Sequence, residues 1–157
     1  MQESGFTLVE LVTVIILLGI ISTVVMIQWP GSTINLGAQA AQLAGDIRYT
    51  QALSMTKAQR YRLVIVSSTT YQITNSSGTA ILNASGATTT TLNTGITFGT
   101  LANLPNSLIA FDTLGTPYVD TASPGTALAS TASIPLVAGS KTATVTIAPQ
   151  TGRVLAQ

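Results

Sequence analysis

The sequence predicts an α+β protein in which a long amino-terminal α-helix, half membrane-spanning and half amphipathic, packs on a carboxy-terminal antiparallel β-sheet head. Three observations support this prediction. An uncharged apolar run lies near the start of the chain, a segment with helical spacing of apolar residues follows it, and short β-prone runs separated by turn residues fill the remainder. With 157 residues, the chain is long enough for one domain with a sizeable core.

The apolar run predicts the first half of the helix. No charged residue lies between Glu10 and Asp46. Residues 6–27 would form a helix about 33 Å long at roughly 1.5 Å per residue, against a hydrocarbon thickness of about 30 Å. Trp29 follows, where an indole would lie at the membrane interface. We therefore expect a single-pass hydrophobic helix over residues 6–29.

A cleaved secretory signal is the alternative interpretation of this run. Ala38 and Ala40 supply the small residues of a cleavage site. The run is nevertheless longer than the usual 7 to about 15 apolar residues, and the cleavage site would lie far beyond its end. The first basic residue of the chain is Arg48, so no positive charge precedes the run. These features favour a retained helix, whose orientation the charges do not specify.

The second half of the helix, residues 30–58, is predicted to be amphipathic. Leu36, Ala40, Leu43 and Ile47 repeat at three- and four-residue spacing, which places them on one helical face. A β-sheet buries one of its faces, and this apolar helical face is available to cover it.

Residues 59–157 are predicted to form the β-rich head. Gly-containing turn signals separate the β-prone runs, and those at 138–140 and 149–152 are typical of hairpin connections. The predicted runs span residues 61–66, 71–74, 79–83, 88–92, 96–98, 108–111, 134–137, 142–147 and 153–155. An antiparallel sheet is the natural arrangement of such short, closely connected strands.

Glu10 is the unusual residue of the apolar run. A carboxylate at the bilayer centre costs about 2.5 to 3.5 kcal/mol, and less towards the edge. One interpretation is a capping box, because Thr7 and Glu10 have the Thr-x-x-Glu spacing in which each side chain bonds the other's backbone N–H. The other is an ion pair with a positive group of a neighbouring chain in an assembly.

The sequence GFTLVE at positions 5–10, followed by the unbroken apolar helix, resembles the type III signal sequence of type IV pilins and pseudopilins. The resemblance implies the pilin fold and cleavage after Gly5 by prepilin peptidase, which removes a leader over residues 1–5. It also implies N-methylation of the new terminal amine on Phe6. In that family the amine of one subunit is thought to pair with the carboxylate of its neighbour, here Glu10, which sets the axial register.

Three further segments resemble the H-type minor pseudopilins (GspH) and the related FimT-like and MSHA-like minor pilins. They are residues 41–49 with 51–52, residues 111–117 and residues 149–154. The resemblance implies a mechanical and adhesive subunit of a type IV pilus-like filament. Its implied partners are other pilin subunits, prepilin peptidase and the inner-membrane assembly platform. It would lie in the bacterial inner membrane before assembly, and then in a periplasmic or extracellular filament.

The composition argues against an enzyme. The chain has no His and no Cys, which removes the usual imidazole base, thiol nucleophile and metal ligands, so no cofactor or metal is expected. Charged residues are only 7% of the chain, and 14 Ser and 26 Thr supply most of its polarity. Asp112 and Asp120 flank a turn, where two interpretations remain: Ca²⁺ binding with backbone oxygens, or the commoner capping of the turn.

Two alternative functions share these features. A minor pseudopilin of a type II secretion system would have the same signal, helix and head. A DNA-binding minor pilin of an uptake pilus is the second, because some FimT-like proteins use a carboxy-terminal Gly-Arg-x-Arg motif, of which Arg153 is the first arginine and Leu155 replaces the second. Four of the six basic residues lie between Arg48 and Arg62, but a net charge of +1 gives no electrostatic case for DNA. We therefore expect a solvated basic face and no DNA partner.

Overall fold

A computed structural model describes the backbone of residues 7–27 and 31–157, and the side chains of residues 7–22 and 35–157. The chain divides into two compact units, which meet in sequence between Gly31 and Ser32. The first contains one helix, and the second contains a helix and the β-strands.

Helix α1 spans Leu8–Ile27. The described side chains of residues 7–22 are all exposed, in keeping with a sequence that is apolar on every side of the helix. The predicted hydrophobic helix covered residues 6–29, of which Phe6, Trp29 and the residue before Trp29 lie outside the described residues. Over the part of the chain that the structure describes, no helix combines the length and apolar character needed to cross a membrane.

Helix α2 spans Gly31–Lys57 and carries the predicted apolar face. Leu36, Ala40, Leu43 and Ile47 are at most 2% exposed, so the amphipathic pattern is confirmed as a buried face. The helix ends at Lys57, and the next residue, Ala58, adopts φ +50°, the left-handed conformation that terminates many helices.

The described head contains ten antiparallel strands in two sheets. The strands are β1 Tyr61–Ile65, β2 Thr70–Thr74, β3 Ala80–Ile81, β4 Thr90–Thr91, β5 Thr97–Phe98, β6 Leu108–Phe111, β7 Pro117–Tyr118, β8 Ala132–Ala138, β9 Lys141–Ile147 and β10 Val154–Ala156. The first sheet has the order β3-β2-β1-β6-β7, with β4 also paired to β2, and the second has the order β10-β9-β8-β5.

Helix α2 and both sheets share one hydrophobic core. Leu43 from α2 belongs to the same buried cluster as Leu63 and Phe111 from the first sheet and Ile134 and Val145 from the second. The α+β prediction of a helix packed on an antiparallel β head is therefore confirmed. The sequence favoured a single sheet, whereas the helix covers two. The long β8–β9 hairpin buries alternate residues against the same helix and forms the second sheet.

Candidate assembly site and head loops

Thr7 caps helix α1. Its Oγ1 accepts a hydrogen bond from the Glu10 N–H at 3.3 Å, and its carbonyl accepts from the N–H groups of Glu10 at 3.1 Å and Leu11 at 3.2 Å. This is one half of a capping box. Among the described residues, the reciprocal bond, in which the Thr7 N–H would donate to the Glu10 carboxylate, is not formed. Helix capping therefore explains Thr7. The exposed carboxylate of Glu10 takes no part in the cap.

The other polar side chains of α1 differ from Glu10. Thr13 Oγ1 donates to the Val9 carbonyl at 2.5 Å, and Ser22 Oγ donates to the Leu18 carbonyl at 2.8 Å. Hydroxyls bonded in this way suit an apolar surrounding because their polar groups are satisfied within the helix. Within residues 8–22, Glu10 is the polar side chain that has no such partner. Gly5 and Phe6, the predicted processing residues, lie outside the described residues.

The three segments that resemble minor pilins, one in α2 and two in turns of the head, meet at Gln51. Its Nε2 donates to the Gly115 carbonyl at 2.9 Å and to the Thr151 carbonyl at 3.0 Å, so one amide from α2 ties together a turn from each sheet. A Cβ on Gly152 would lie 2.6 Å from Gln51 Nε2, and a Cβ on Gly115 would lie 3.2 Å from it. Both glycines therefore let the turns approach the amide closely.

Asp112 begins a type of turn that occurs three times in the head. Asn75, Asn83 and Asp112 each accept, through Oδ1, the N–H groups of the second and fourth residues that follow, at 2.8 to 3.0 Å. The third residue after each is a glycine with φ of +83°, +82° and +82° respectively. Since neutral asparagine does the same work in two of the three turns, capping accounts for Asp112 without a bound cation.

Asp120 closes a different loop. Its Oδ1 accepts from the Ala122 N–H at 3.2 Å, and its Oδ2 accepts from the Thr126 N–H at 2.7 Å. The hydrogen bonds with Thr126, aided by Ala122 and by the charge of Arg60, hold the pKa of Asp120 below its usual value. Arg60 also donates to the Ala122 carbonyl and lies 4.2 Å from the centre of the Tyr118 ring. A guanidinium thus supplies the positive charge at this loop.

No metal centre is assembled around these carboxylates in the described residues, which contain no group of three or more potential acidic, His or Cys ligands. Of the two interpretations of Asp112 and Asp120, capping is the one that their hydrogen bonds support.

A buried pair joins α2 to strand β2, and sequence reasoning missed it. The Tyr71 hydroxyl donates to Asp46 Oδ2 at 2.7 Å, and Asp46 is only 5% exposed. Burial raises the pKa of Asp46, an effect that the bond from Tyr71 partly offsets. Burial, together with this bond, raises the pKa of Tyr71 as well. The sequence did contain a signal for this pair, because Asp46 lies beside Ile47 on the apolar face of the helix.

The predicted solvated basic face is wrong for Arg62. This side chain is 7% exposed, and it donates to Thr74 Oγ1 at 3.1 Å and to the carbonyls of Asn75 at 2.9 Å and Ser76 at 2.8 Å. Neutral acceptors thus replace the water that the sequence led us to expect. Arg60 contacts an aromatic ring and a loop, so these two cations serve the head's own packing.

Two other basic residues lie at strand β10. Arg48 Nη2 donates to the Val154 carbonyl at 2.8 Å, which occupies part of the free edge of the strand. Arg153 is exposed, and with Leu155 and Thr146 it lines a surface recess with a volume of about 430 Å³. Arg153 is therefore accessible, as the proposed DNA contact requires, but the second arginine of the motif is absent.

A long helix packed on an antiparallel β head defines the pilin fold. The fold of this chain is similar to that of the type IV minor pilin FimU from Pseudomonas aeruginosa strain PAO1, in two crystal structures. In space group P21 the TM-score is 0.57 at 14% identity, covering 82% of this chain and 92% of FimU. In space group P65 it is 0.53 at 13% identity, covering 76% and 90%. No family model and no curated protein sequence matches this chain.

Proposed function

We propose that this protein is a structural subunit of a type IV pilus-like filament that assembles through its amino-terminal helix. The observation that carries the proposal is α1 itself. Its apolar side chains are exposed on every side, and Glu10 is the polar group that has no partner among the described residues. Similarity of fold to the minor pilin FimU supports the same function. An exposed apolar surface of this size requires a membrane or other helices to cover it.

Glu10 would set the position of each subunit. A carboxylate in an apolar surrounding is costly unless a positive group compensates it, and the new amine on Phe6 of a neighbouring chain would supply that charge. Only one axial offset between helices brings the two groups together. The pair would therefore specify register more than stability. Prepilin peptidase, which cuts after Gly5, and an inner-membrane assembly platform complete the proposed partners.

Replacement of Glu10 tests the register. In Glu10→Val we expect a stable, membrane-inserted protein that enters filaments at least tenfold less than the wild type, measured by immunoblotting of sheared filament fractions. Thr7→Ala is the matched control, because it removes the observed cap and keeps the carboxylate. Normal assembly of Glu10→Val would contradict the register role. Equal loss in both variants would assign the residue pair to helix capping instead.

Replacement of Gly5 tests processing. Gly5→Ala should accumulate as a precursor that is heavier by the leader of residues 1–5 and lacks N-methylation, as intact mass spectrometry would show. A wild-type protein that itself retains residues 1–5, and so differs from Gly5→Ala by only one methylene group, would argue against prepilin processing.

Two alternatives to a pilus remain to be separated. Deletion of the protein abolishes secretion of exoproteins if it is a type II secretion pseudopilin, and removes surface fibres if it is a pilus subunit. The one observation that favours a DNA-uptake role is the exposure of Arg153. It predicts salt-sensitive retardation of duplex DNA that Arg153→Ala weakens. The absence of retardation at low salt would eliminate that role.

A further inference from the structure

A surface recess on the second sheet combines apolar walls with a cation. Its volume is about 430 Å³, which lies in the range of ligand-binding clefts, about 300 to 1,000 Å³. Threonine methyl groups, an alanine, a leucine and an arginine form its walls. The lining residues are Thr131, Thr146, Ala148, Thr151, Arg153 and Leu155, and we call this site the β10 recess.

The apolar surface continues from the β10 recess onto the neighbouring turn. Gln51 Nε2 donates to the Thr151 carbonyl at 3.0 Å and to a carbonyl of the turn at residues 112–116 at 2.9 Å, so this turn lies beside the recess. The turn presents Leu114, which is 82% exposed. Serine occupies the equivalent place in the two turns of the same construction, so the turn itself does not require a leucine there.

The cation of the β10 recess is not neutralised by the head. The backbone N–H of Arg153 donates to Thr151 Oγ1 at 3.3 Å, and its carbonyl accepts from the Ala148 N–H at 2.9 Å. Its exposed guanidinium has no hydrogen-bond partner and no carboxylate within residues 31–157. The recess therefore offers an apolar surface and an unpaired positive charge side by side.

The head's own carboxylates are already engaged. Asp46 is 5% exposed and accepts from the Tyr71 hydroxyl. Asp112 and Asp120 each accept hydrogen bonds through both carboxylate oxygens within their own loops. These three are the acidic residues of positions 32–157. The head of a second copy therefore offers no unengaged acidic side chain for Arg153, and the complementary charge must come from a different protein.

We infer that the β10 recess binds an acidic segment of a different protein. A carboxylate of the segment pairs with the guanidinium of Arg153, which can form two parallel hydrogen bonds to it. An apolar side chain beside that carboxylate packs on Leu155 in the recess, and a second one covers Leu114. This binding does not require filament assembly, so it goes beyond the proposed function.

Nucleic acid is a poorer match for this site. Its affinity comes from several phosphate contacts, each made by a cation. Three other arginines are occupied by the head itself: Arg48 and Arg62 donate to its carbonyls, and Arg60 lies against the Tyr118 ring. A single guanidinium beside an apolar surface suits one carboxylate and its apolar neighbours better than a row of phosphates.

Selection of peptides tests this inference. A random dodecapeptide library displayed on phage is selected against the detergent-solubilised full-length chain. We expect the enriched peptides to combine Asp or Glu with a neighbouring Leu, Ile or Phe. Fluorescence anisotropy of a synthetic enriched peptide should show binding at least tenfold weaker to Arg153→Gln and at least threefold weaker to Leu155→Ser and Leu114→Ser.

Two matched variants control for charge and for exposed apolar area. Lys141→Gln removes the same charge at the opposite end of strand β9, and Leu82→Ser removes a leucine that is 58% exposed after strand β3. Both should bind the peptide as the wild type does. In a charge reversal, Arg153→Glu should abolish binding of the acidic peptide, and a peptide with Lys in place of its acidic residue should restore it.

The outcomes separate this inference from the proposed function. Enrichment of no acidic peptide, or equal binding by Arg153→Gln and the wild type, overturns the acidic partner and leaves filament assembly untouched. Binding of duplex DNA that depends on Arg153, without any selected peptide, assigns the recess to nucleic acid instead. Self-association of the unassembled chain that Arg153→Gln abolishes assigns it to a second copy. Glu10→Val, which should fail to assemble, should still bind the peptide with wild-type affinity.

Discussion

The two helices bury their apolar residues in different ways. Helix α2 presents one apolar face, and Leu43 and Ile47 on that face are fully buried in the core that the helix shares with both sheets. Helix α1 is apolar on all sides, and large side chains such as Leu17 and Ile20 remain more than half exposed. A helix with one apolar face can bury that face within its own chain. A helix without a polar face requires a membrane or other helices to cover its apolar surface. The predictions below test this difference, starting from the largest expected effect.

Leucine truncation in each helix is the most direct test. Leu43→Ala should destabilise the head by about 2–5 kcal/mol, because it leaves a cavity in the shared core. Leu17→Ala should leave the unfolding of the head within about 0.5 kcal/mol of the wild type, because Leu17 is 54% exposed and lies in the other unit. Urea unfolding of the detergent-solubilised chain, followed by near-ultraviolet circular dichroism, measures both. Similar losses would contradict the distinction between the helices.

Glycine replacement tests how tightly α2 holds the turns of the head. Gly152→Ala should cost about 2–4 kcal/mol, since a Cβ would lie 2.6 Å from Gln51 Nε2 on a backbone with φ +63°. Gly45→Ala is the control on the exposed face of α2, where nothing lies within 4 Å of the added methyl. It should stabilise the head by about 0.5–1 kcal/mol through helix propensity. A neutral Gly152→Ala would show that the turn is loosely held.

The two carboxylates Asp46 and Asp120 should give opposite pH dependences. Because burial raises the pKa of Asp46, its contribution to stability is complete below the unfolded pKa and is lost as pH rises through the folded pKa. Asp46→Asn should therefore gain stability relative to the wild type towards neutral pH. The lowered pKa of Asp120 gives a contribution that is present at neutral pH and is lost on acidification, so Asp120→Asn should lose stability at neutral pH. Thermal melts from pH 3 to about pH 8 measure both differences. Parallel curves for the two variants would refute the assignment.

Asp112 should give the smallest effect. Asp112→Asn keeps the Oδ1 acceptor that Asn75 and Asn83 supply in the matched turns, so its cost should stay below about 1 kcal/mol. Asp112→Ala removes the acceptor and should cost about 1–3 kcal/mol. The melting temperature of the wild type should be the same in excess Ca²⁺ and in chelator. A calcium-dependent rise that Asp112→Asn abolishes would restore the metal interpretation.

Much of the head was predictable because its signals are local. The apolar spacing from Leu36 to Ile47 indicated the buried face of α2, and β-branched runs indicated nine of the strands. Strand β7 (Pro117–Tyr118) was missed because two residues, one of them proline, carry no periodicity. The predicted strands at 79–83 and 88–92 shrink to two residues each, and the turn capped by Asn83 lies between them.

The candidate site residues and the buried polar residues of the head differ in the same way. The motif at residues 5–10 and the isolated carboxylate of Glu10 were evident from the sequence, since charge in an apolar run needs only the order of residues to be noticed. The burial of Arg62 and the pairing of Asp46 with Tyr71 were not evident, because each depends on an element distant in sequence.

The sequence by itself determined the apolar helix with its single carboxylate, the amphipathic face that follows it and the β-prone character of the remainder, since these depend on composition and periodicity. Only the tertiary structure decided that the strands form two sheets that share one core with α2, and that Gln51 joins a turn from each sheet. The physical reason is that hydrophobic patterning specifies which face is buried, whereas hydrogen bonds between distant segments specify what it is buried against.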